Sequence, residues 1–199
     1  ILQAQEFLKR SDIFLMESVT EHKFLYPDKN YEKVIASKVS GFNDPIFALL
    51  FSSLQSFSFY NELIQISDKY YLNPVANGSI SKYFYLIEDT LYQGTDSVFV
   101  ISYKPHKSTK SECLKGVLYI NTNGYAIQNV IAEPVNSNSF AVKIQQKYEF
   151  IDNKRWFPVQ LNSDITFGTV SITGVGKLIG QGRSYLKDIV LEPDLKKNE

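Results

Sequence analysis

The stretch from Leu114 to Pro134 constrains the fold of this chain more than any other part of it. Two runs rich in Val, Ile, Leu and Tyr flank the segment Asn121-Thr122-Asn123-Gly124. Asn and Gly tolerate the positive φ angles that tight turns between antiparallel strands require. The pattern therefore predicts a β-hairpin.

The sequence leaves the register of this hairpin open. A two-residue turn at Asn123-Gly124 pairs Ile120 with Ile127 and Val117 with Val130, whereas a type I turn with a bulge at Gly124 shifts every pair by one residue. Because strand side chains alternate, the two registers turn opposite faces of the hairpin toward the rest of the protein. One face carries Leu118 and Ile120, and the other carries Val117 and Tyr119.

Further runs of β-branched, aromatic and alternating residues predict strands on both sides of this hairpin. Each is bounded by turn residues such as Pro, Asp, Asn and Gly. Counted with the hairpin, they give roughly nine or ten strands, a number at which an antiparallel sheet curls or closes. The clearest runs are Ile13–Tyr26, Tyr31–Val39, Tyr83–Leu91, Ser97–Lys104, Phe140–Phe150, Phe157–Phe167, Gly168–Thr173 and Ser184–Leu191.

Helical patterns occur in the first third of the chain. Asp44-Pro45 is typical of an N-cap followed by proline at the first helical position, and apolar residues then recur at helical spacing. We predict a long amphipathic helix from Pro45 to about Ile66 and a short one over Ile1–Arg10. At Ser56-Phe57-Ser58-Phe59 the apolar residues alternate, so a strand is the alternative there.

Together these patterns predict an α+β fold. We expect a strongly curved, mostly antiparallel sheet, open as a half-barrel and wrapped against the long helix. The length of 199 residues suits one domain with its own core. Because the chain starts without Met and residues 193–199 are mostly charged or polar, we interpret residues 1–199 as a single domain cut from a longer protein.

Charge and hydropathy exclude two classes of partner. Lys plus Arg and Asp plus Glu number 21 each, so the formal net charge is zero and no overall field draws the chain to nucleic acid. No apolar run reaches the roughly eighteen residues that indicate a transmembrane helix. We expect contact with a membrane only through other parts of the protein.

The sequence contains no motif that predicts an enzyme, a metal site or a cofactor. His22 and His106 are the only histidines, and neither stands at a metal-ligand spacing from the other or from Cys113. No Gly-x-Ser-x-Gly elbow is present for nucleophilic catalysis. At Gly174-Val175-Gly176-Lys177, leucine follows the lysine where a phosphate-binding loop needs Ser or Thr.

A Phe-rich helix laid against a curved sheet predicts an apolar cavity that would hold a lipid or a hydrophobic peptide segment. The alternative is a packed core, because surplus aromatic side chains fill space. The residues expected to line the cavity are Phe47, Leu50, Leu54 and Phe57 on the helix, with Leu118, Ile120, Ile127 and Ile131 on the hairpin.

Several long strings resemble a known family: Met16–Glu21, Gln55–Tyr60, Tyr83–Tyr92, Leu114–Pro134, Lys143–Phe150 and Trp156–Leu161. From Asp12 onward the chain resembles the uncharacterised family of large Bacteroidetes outer-membrane proteins that carry a carboxypeptidase-regulatory-like N-terminal domain. The segment of residues 1–11 matches less well. The resemblance implies a C-terminal membrane β-barrel, with this chain as the middle, soluble part on the periplasmic face. The order of strands and helices also resembles, at the level of fold, that of lipoprotein-carrier half-barrels.

We therefore expect a non-enzymatic binding or interaction domain whose partners are a lipid or hydrophobic peptide and the neighbouring domains of the same chain. One alternative is a glycan-recognition module, because sugar rings stack on aromatic faces. Its candidate residues are Tyr70, Tyr71, Tyr125 and Trp156. Another alternative is a structural spacer that binds no small molecule.

Overall fold

The computed structural model of the chain describes residues 14–25, 29–41, 58–66, 68–136, 140–167 and 178–193. These residues contain eleven β-strands and one 3-10 turn. The chain divides into two compact units, one of residues 1–49 and 190–199 and the other of residues 50–189. That the whole chain is a single domain stays a prediction.

The first unit contains a two-stranded antiparallel ribbon. Its strands are β1 (Phe14–Leu25) and β2 (Lys29–Gly41), which confirms the two strands predicted for this part of the chain. Met16 lies opposite Val39, and the next pair along the ribbon is Glu17 and Lys38. Every residue of β2 is exposed, so the ribbon shows apolar and charged side chains to solvent on both of its faces.

The second unit is built on a seven-stranded antiparallel sheet in which each strand pairs with the next one along the chain. A sheet with this order needs only short hairpin turns, which is why the alternating runs of the sequence follow one another so closely. The strands are β5 (Tyr83–Gln93), β6 (Asp96–Pro105), β7 (Leu114–Asn121), β8 (Ala126–Pro134), β9 (Phe140–Ile151), β10 (Arg155–Phe167) and β11 (Leu178–Tyr185).

A smaller hairpin of β3 (Leu63–Ile66) and β4 (Lys69–Leu72) contributes to the core on one face of this sheet. Ile64, Ile66 and Tyr71 belong to the same buried cluster as residues of β5 to β10. The segment that leads into β3 is tied to β9, because the backbone N–H of Phe59 donates to the side chains of Gln146 and Tyr148, each at 3.1 Å. We call the covered face of the sheet the core face and the opposite one the outer face.

The α+β prediction is wrong, because the described chain is nearly all β, with 71% of it in strands. The long helix predicted to reach Ile66 is absent from residues 58–66, which form a turn and β3. There the exposure of Leu63 and Gln65 alternates with the burial of Ile64 and Ile66, the period of a strand. Residues 45–57 of the predicted helix and the short helix over Ile1–Arg10 lie outside the described residues.

The predicted half-barrel is also wrong, because the sheet is neither closed nor strongly curled. The strand count was close to that observed, but the strands divide among three sheets. Four of them form the β1–β2 ribbon and the β3–β4 hairpin, so only seven remain for the large sheet. Seven strands are too few to force the sheet to close, and β5 and β11 form its two edges.

The hairpin at Leu114–Pro134 is confirmed, and its register combines the two alternatives. Next to the turn, Ile120 pairs with Ile127, as a two-residue turn predicts. A bulge then inserts Gln128, so that Leu118 pairs with Val130 and Val117 with Ile131. The face that packs into the core is the one that carries Leu118 and Ile120.

One glycine in this hairpin marks a close approach of neighbouring strands. Gly116 lies opposite Tyr103 of β6 on one side and Ala132 of β8 on the other. A Cβ atom at Gly116 would overlap the backbone carbonyl oxygen of Ile131 and lie 3.0 Å from the Tyr103 hydroxyl. Glycine is therefore needed here for space.

Candidate binding surface

The predicted cavity residues of the hairpin are divided between the two faces of the sheet. Leu118 and Ile127 are 3% and 2% exposed in the core, and Ile120 packs against the same cluster. Ile131 lies on the outer face, because the bulge at Gln128 reverses the alternation of β8. Phe47, Leu50, Leu54 and Phe57 lie outside the described residues, so that half of the lining stays a prediction.

A cluster of buried tyrosines fills the core face near β5 and β6. The Tyr83 hydroxyl donates to the carbonyl oxygen of Leu72 at 2.6 Å and accepts from the N–H of Leu114 at 3.1 Å. Burial raises the pKa of Tyr83 and of Tyr103 above the ordinary tyrosine value. Burial likewise raises the pKa of the Cys113 thiol. These groups stay protonated, and the two hydroxyls bond to the backbone of neighbouring segments, which is a structural role.

The outer face carries a row of amide side chains across β8, β9 and β10. We call Asn129, Gln145, Asn162 and Gln160 the amide row. Gln145 Nε2 donates to Asn129 Oδ1 at 3.2 Å, and Asn162 Nδ2 donates to Gln145 Oε1 at 3.1 Å. Gln160 Nε2 then donates to Asn162 Oδ1 at 2.9 Å. The bonds all run in one direction and fix the orientation of each amide.

A second set of amides continues on the outer face toward β5. Asn121 Nδ2 donates to Gln128 Oε1 at 3.2 Å, and Gln128 Nε2 donates to Gln93 Oε1 at 3.0 Å. Gln128 follows the core-facing Ile127, so alternation places its side chain on the outer face, and the bulge keeps the next residue, Asn129, on that face as well. The two hydrogen-bonded sets together contain seven amides on one face of the sheet.

Two tyrosines stand at the ends of the line that contains Asn129 and Gln160. Tyr119 on β7 lies opposite Asn129, and Tyr185 on β11 lies opposite Gln160, with Lys147 of β9 between the two amides. Tyr185 is 58% exposed and Tyr119 is half-buried. With neighbouring strands about 4.8 Å apart, the two aromatic residues are separated by about 19 Å.

Charged groups next to the amide row are mostly neutralised in pairs. Arg183 on β11 forms an ion pair of 2.7 Å with Asp164 on β10, and its guanidinium also donates to the carbonyl oxygen of Ser163 at 3.2 Å. Lys143 and Glu133 approach to 3.7 Å. The four amides of the row are neutral donors and acceptors, and Lys147 is the charged residue that lies between Asn129 and Gln160.

The sequence predicted part of this face but not its assembly. The alternation predicted for Phe140–Phe150 is confirmed by the exposure pattern, which places Lys143, Gln145 and Lys147 on the side of β9 away from the core. Alignment of the amides depends on two bulges, one at Gln128 and one at Val159 between β9 and β10. The sequence signal that could have predicted this face is the presence of outward-facing Asn and Gln residues on three successive strands.

The aromatic residues predicted for glycan recognition do not form one site. Tyr70 is exposed, whereas the neighbouring Tyr71 is buried, because adjacent strand residues point to opposite faces. Tyr125 is exposed in the turn between β7 and β8 at a φ of 50°. Trp156 lies beside the same turn and donates from Nε1 to the carbonyl oxygen of Asn123 at 2.9 Å, so its indole is committed to holding the turn.

Within the described ranges, no group of three or more His, Cys, Asp or Glu side chains is placed to hold a metal ion. No helix in the described part of the chain is both long and apolar enough to cross a membrane.

The fold and this surface define an all-β domain with an open antiparallel sheet and an amide-rich outer face. The chain belongs to DUF5686, a family of unknown function whose model matches residues 2–185. This supports the expectation of an uncharacterised family. No curated protein and no solved structure matches the chain significantly.

Proposed function

We propose that this chain is a non-enzymatic interaction domain that faces the periplasm as part of a larger outer-membrane protein of the Bacteroidetes. The resemblance of the longer sequence strings to that group supports the location. A lipid held in a half-barrel is not part of the proposal, because the sheet is open and not strongly curled.

The observation that carries the proposal is the exposed β1–β2 ribbon. Two strands alone are at best marginally stable in water. This ribbon nevertheless exposes eight large apolar side chains: Leu15, Met16, Val19, Phe24, Tyr31, Val34, Ile35 and Val39. Burying such residues against a partner would supply the stability that the ribbon lacks.

The two faces of the ribbon differ in chemistry, which indicates the side that binds. One face carries Glu17, Glu21, Lys33 and Lys38 in opposed pairs, together with the apolar residues Leu15, Val19 and Tyr31. The other carries the cross-strand pair Met16 and Val39, which are 48% and 49% exposed, followed by uncharged Ser18 and Thr20. The partner that fits this second face is an apolar surface on another part of the same outer-membrane protein.

A binding experiment between separately produced pieces tests this proposal. The 199-residue chain is titrated calorimetrically with the remaining parts of its full-length protein. We expect binding that Met16→Glu with Val39→Glu weakens by at least about tenfold, or 1.4 kcal/mol. The matched control is Glu17→Gln with Lys38→Gln, one residue further along on the opposite face, which should bind like the parent chain. Absence of binding, or equal binding by both variants, would leave the structural spacer as the better account.

A further inference from the structure

The geometry points to a carbohydrate-binding site on the outer face of the seven-stranded sheet, formed by the amide row together with Tyr119 and Tyr185. This inference rests on the proposed function only in that the domain binds a ligand and does not transform it. The site is in the second unit and shares no residue with the β1–β2 ribbon.

The hydrogen-bonding capacity left over in the amide row suits hydroxyl groups. Each Asn or Gln amide has two N–H donors and two acceptor lone pairs. Gln145 and Asn162 each use one donor and one acceptor within the row. Within the described residues they have no other protein partner, so one donor and one acceptor of each remain for a ligand. A sugar hydroxyl both donates and accepts, and can therefore bond to either.

The bonds within the row also preorganise the site. A free Gln side chain on a sheet surface loses rotamer freedom when it binds a ligand, which lowers the affinity. Here Gln145 is held on both sides, by Asn129 and by Asn162, before any ligand arrives. Less entropy is then lost on binding than for an unrestrained surface amide.

The aromatic residues supply the second element that carbohydrates require. A sugar ring presents C–H groups on its faces, and these pack against the flat face of an aromatic side chain. Tyr119 and Tyr185 lie on the same face and in the same line as Asn129 and Gln160. Their separation of about 19 Å, four strand spacings, fits a chain of several sugar units lying across the strands, and a single sugar would span only part of it.

The charge of the site argues against other classes of ligand. Phosphate groups and nucleic acids are bound by clusters of Lys and Arg, whereas Arg183 is already paired with Asp164. An apolar peptide would leave the amides without partners, at a cost for every polar group that is buried. Lys147, in the middle of the line, is the one cation suited to an acidic sugar unit.

A glycan array probed with the labelled 199-residue chain tests the inference. The array carries glucans, mannans, xylans, chitin fragments and uronic-acid polymers. We expect binding to at least one class, and a loss of about tenfold or more in affinity from Gln145→Ala with Asn162→Ala and from Tyr119→Ala. Lys147→Gln should weaken binding to uronic-acid polymers more than it weakens binding to neutral glycans.

Two control variants keep the test specific. Gln181→Ala removes an exposed amide on the outer face of β11 that is outside the row, and Tyr92→Ala removes a tyrosine, 82% exposed, on the other side of β5. Both should bind glycans like the parent chain. Absence of binding to every glycan on the array, or equal binding by the row variants and the controls, would overturn the inference. Either result would leave the ribbon contact untouched, because that contact is measured with a protein partner and other residues.

Discussion

Tyr103 lies directly opposite Gly116 across β6 and β7, and its hydroxyl donates to the carbonyl oxygen of Ile131 on β8 at 3.1 Å. One aromatic side chain thus spans three strands at the centre of the sheet. It can do so only because residue 116 has no side chain.

The first prediction concerns this close approach. Gly116→Ala should lower the free energy of unfolding by about 1–3 kcal/mol, because the added Cβ would overlap the carbonyl oxygen of Ile131 and press on the Tyr103 hydroxyl. Urea denaturation followed by circular dichroism measures the change. Lys115→Ala, at the exposed neighbouring position, is the control and should change stability by about 0.5 kcal/mol or less. Equal effects of the two substitutions would contradict the close approach.

The second prediction concerns the link between the segment before β3 and the sheet. The Tyr148 hydroxyl donates to Gln146 Oε1 at 2.7 Å and accepts from the N–H of Phe59 at 3.1 Å. Tyr148→Phe removes both bonds from a buried site and should cost about 1–3 kcal/mol. Tyr92→Phe removes the same atom from an exposed ring and should cost nothing measurable. The link would be refuted by equal stability of the two variants.

The same tyrosine gives a prediction about pH. Burial raises the pKa of Tyr148 from its ordinary 10.0 to about 12. The folded chain therefore holds the proton more tightly than the unfolded chain, so its contribution to stability is full below pH 10 and is lost as pH rises toward 12. Unfolding measured across this range should show a smaller loss of stability for Tyr148→Phe than for the parent chain. If the stability of the parent chain and that of Tyr148→Phe fell equally with rising pH, the folded state would not raise the pKa of this hydroxyl.

The register of the β7–β8 hairpin gives a fourth prediction. Val130 is buried on the core face, whereas Val117 is half-buried on the outer face. Val130→Thr places a hydroxyl in the core and should cost about 1–3 kcal/mol, and Val117→Thr should cost clearly less. Thermal and urea unfolding of both variants measure the difference. A larger loss of stability for Val117→Thr than for Val130→Thr would mean that the opposite face of the hairpin packs into the core.

The strands could be predicted from sequence because their signals are local. Alternation in Phe140–Phe150 and the turn residues after Asn121 each depend on a few neighbouring side chains, and both predictions hold. Proline cannot donate to a β-ladder, and the pairing of β9 with β10 shifts between Pro158 and Gln160.

The errors arose where the fold depends on residues far apart in sequence. The apolar residues up to Ile66 fit a helical period, but pairing with β4 and burial of Ile64 and Ile66 in the core make residues 63–66 a strand, so tertiary packing decided the structure there. The assembly of the amide row likewise depends on the bulges at Gln128 and Val159. No local sequence pattern predicts that Gln128 is an extra residue in its strand.

We expect the outer face of the sheet to bind carbohydrate through the amide row. The most direct measurement is an NMR titration of the 15N-labelled chain with pooled oligosaccharides, read through the side-chain NH2 signals of Asn and Gln. We predict that at least one pool shifts the signals of Asn129, Gln145, Asn162 and Gln160 and leaves that of Gln181 unchanged. Shifts confined to other residues, or no shifts with any pool, would contradict the claim.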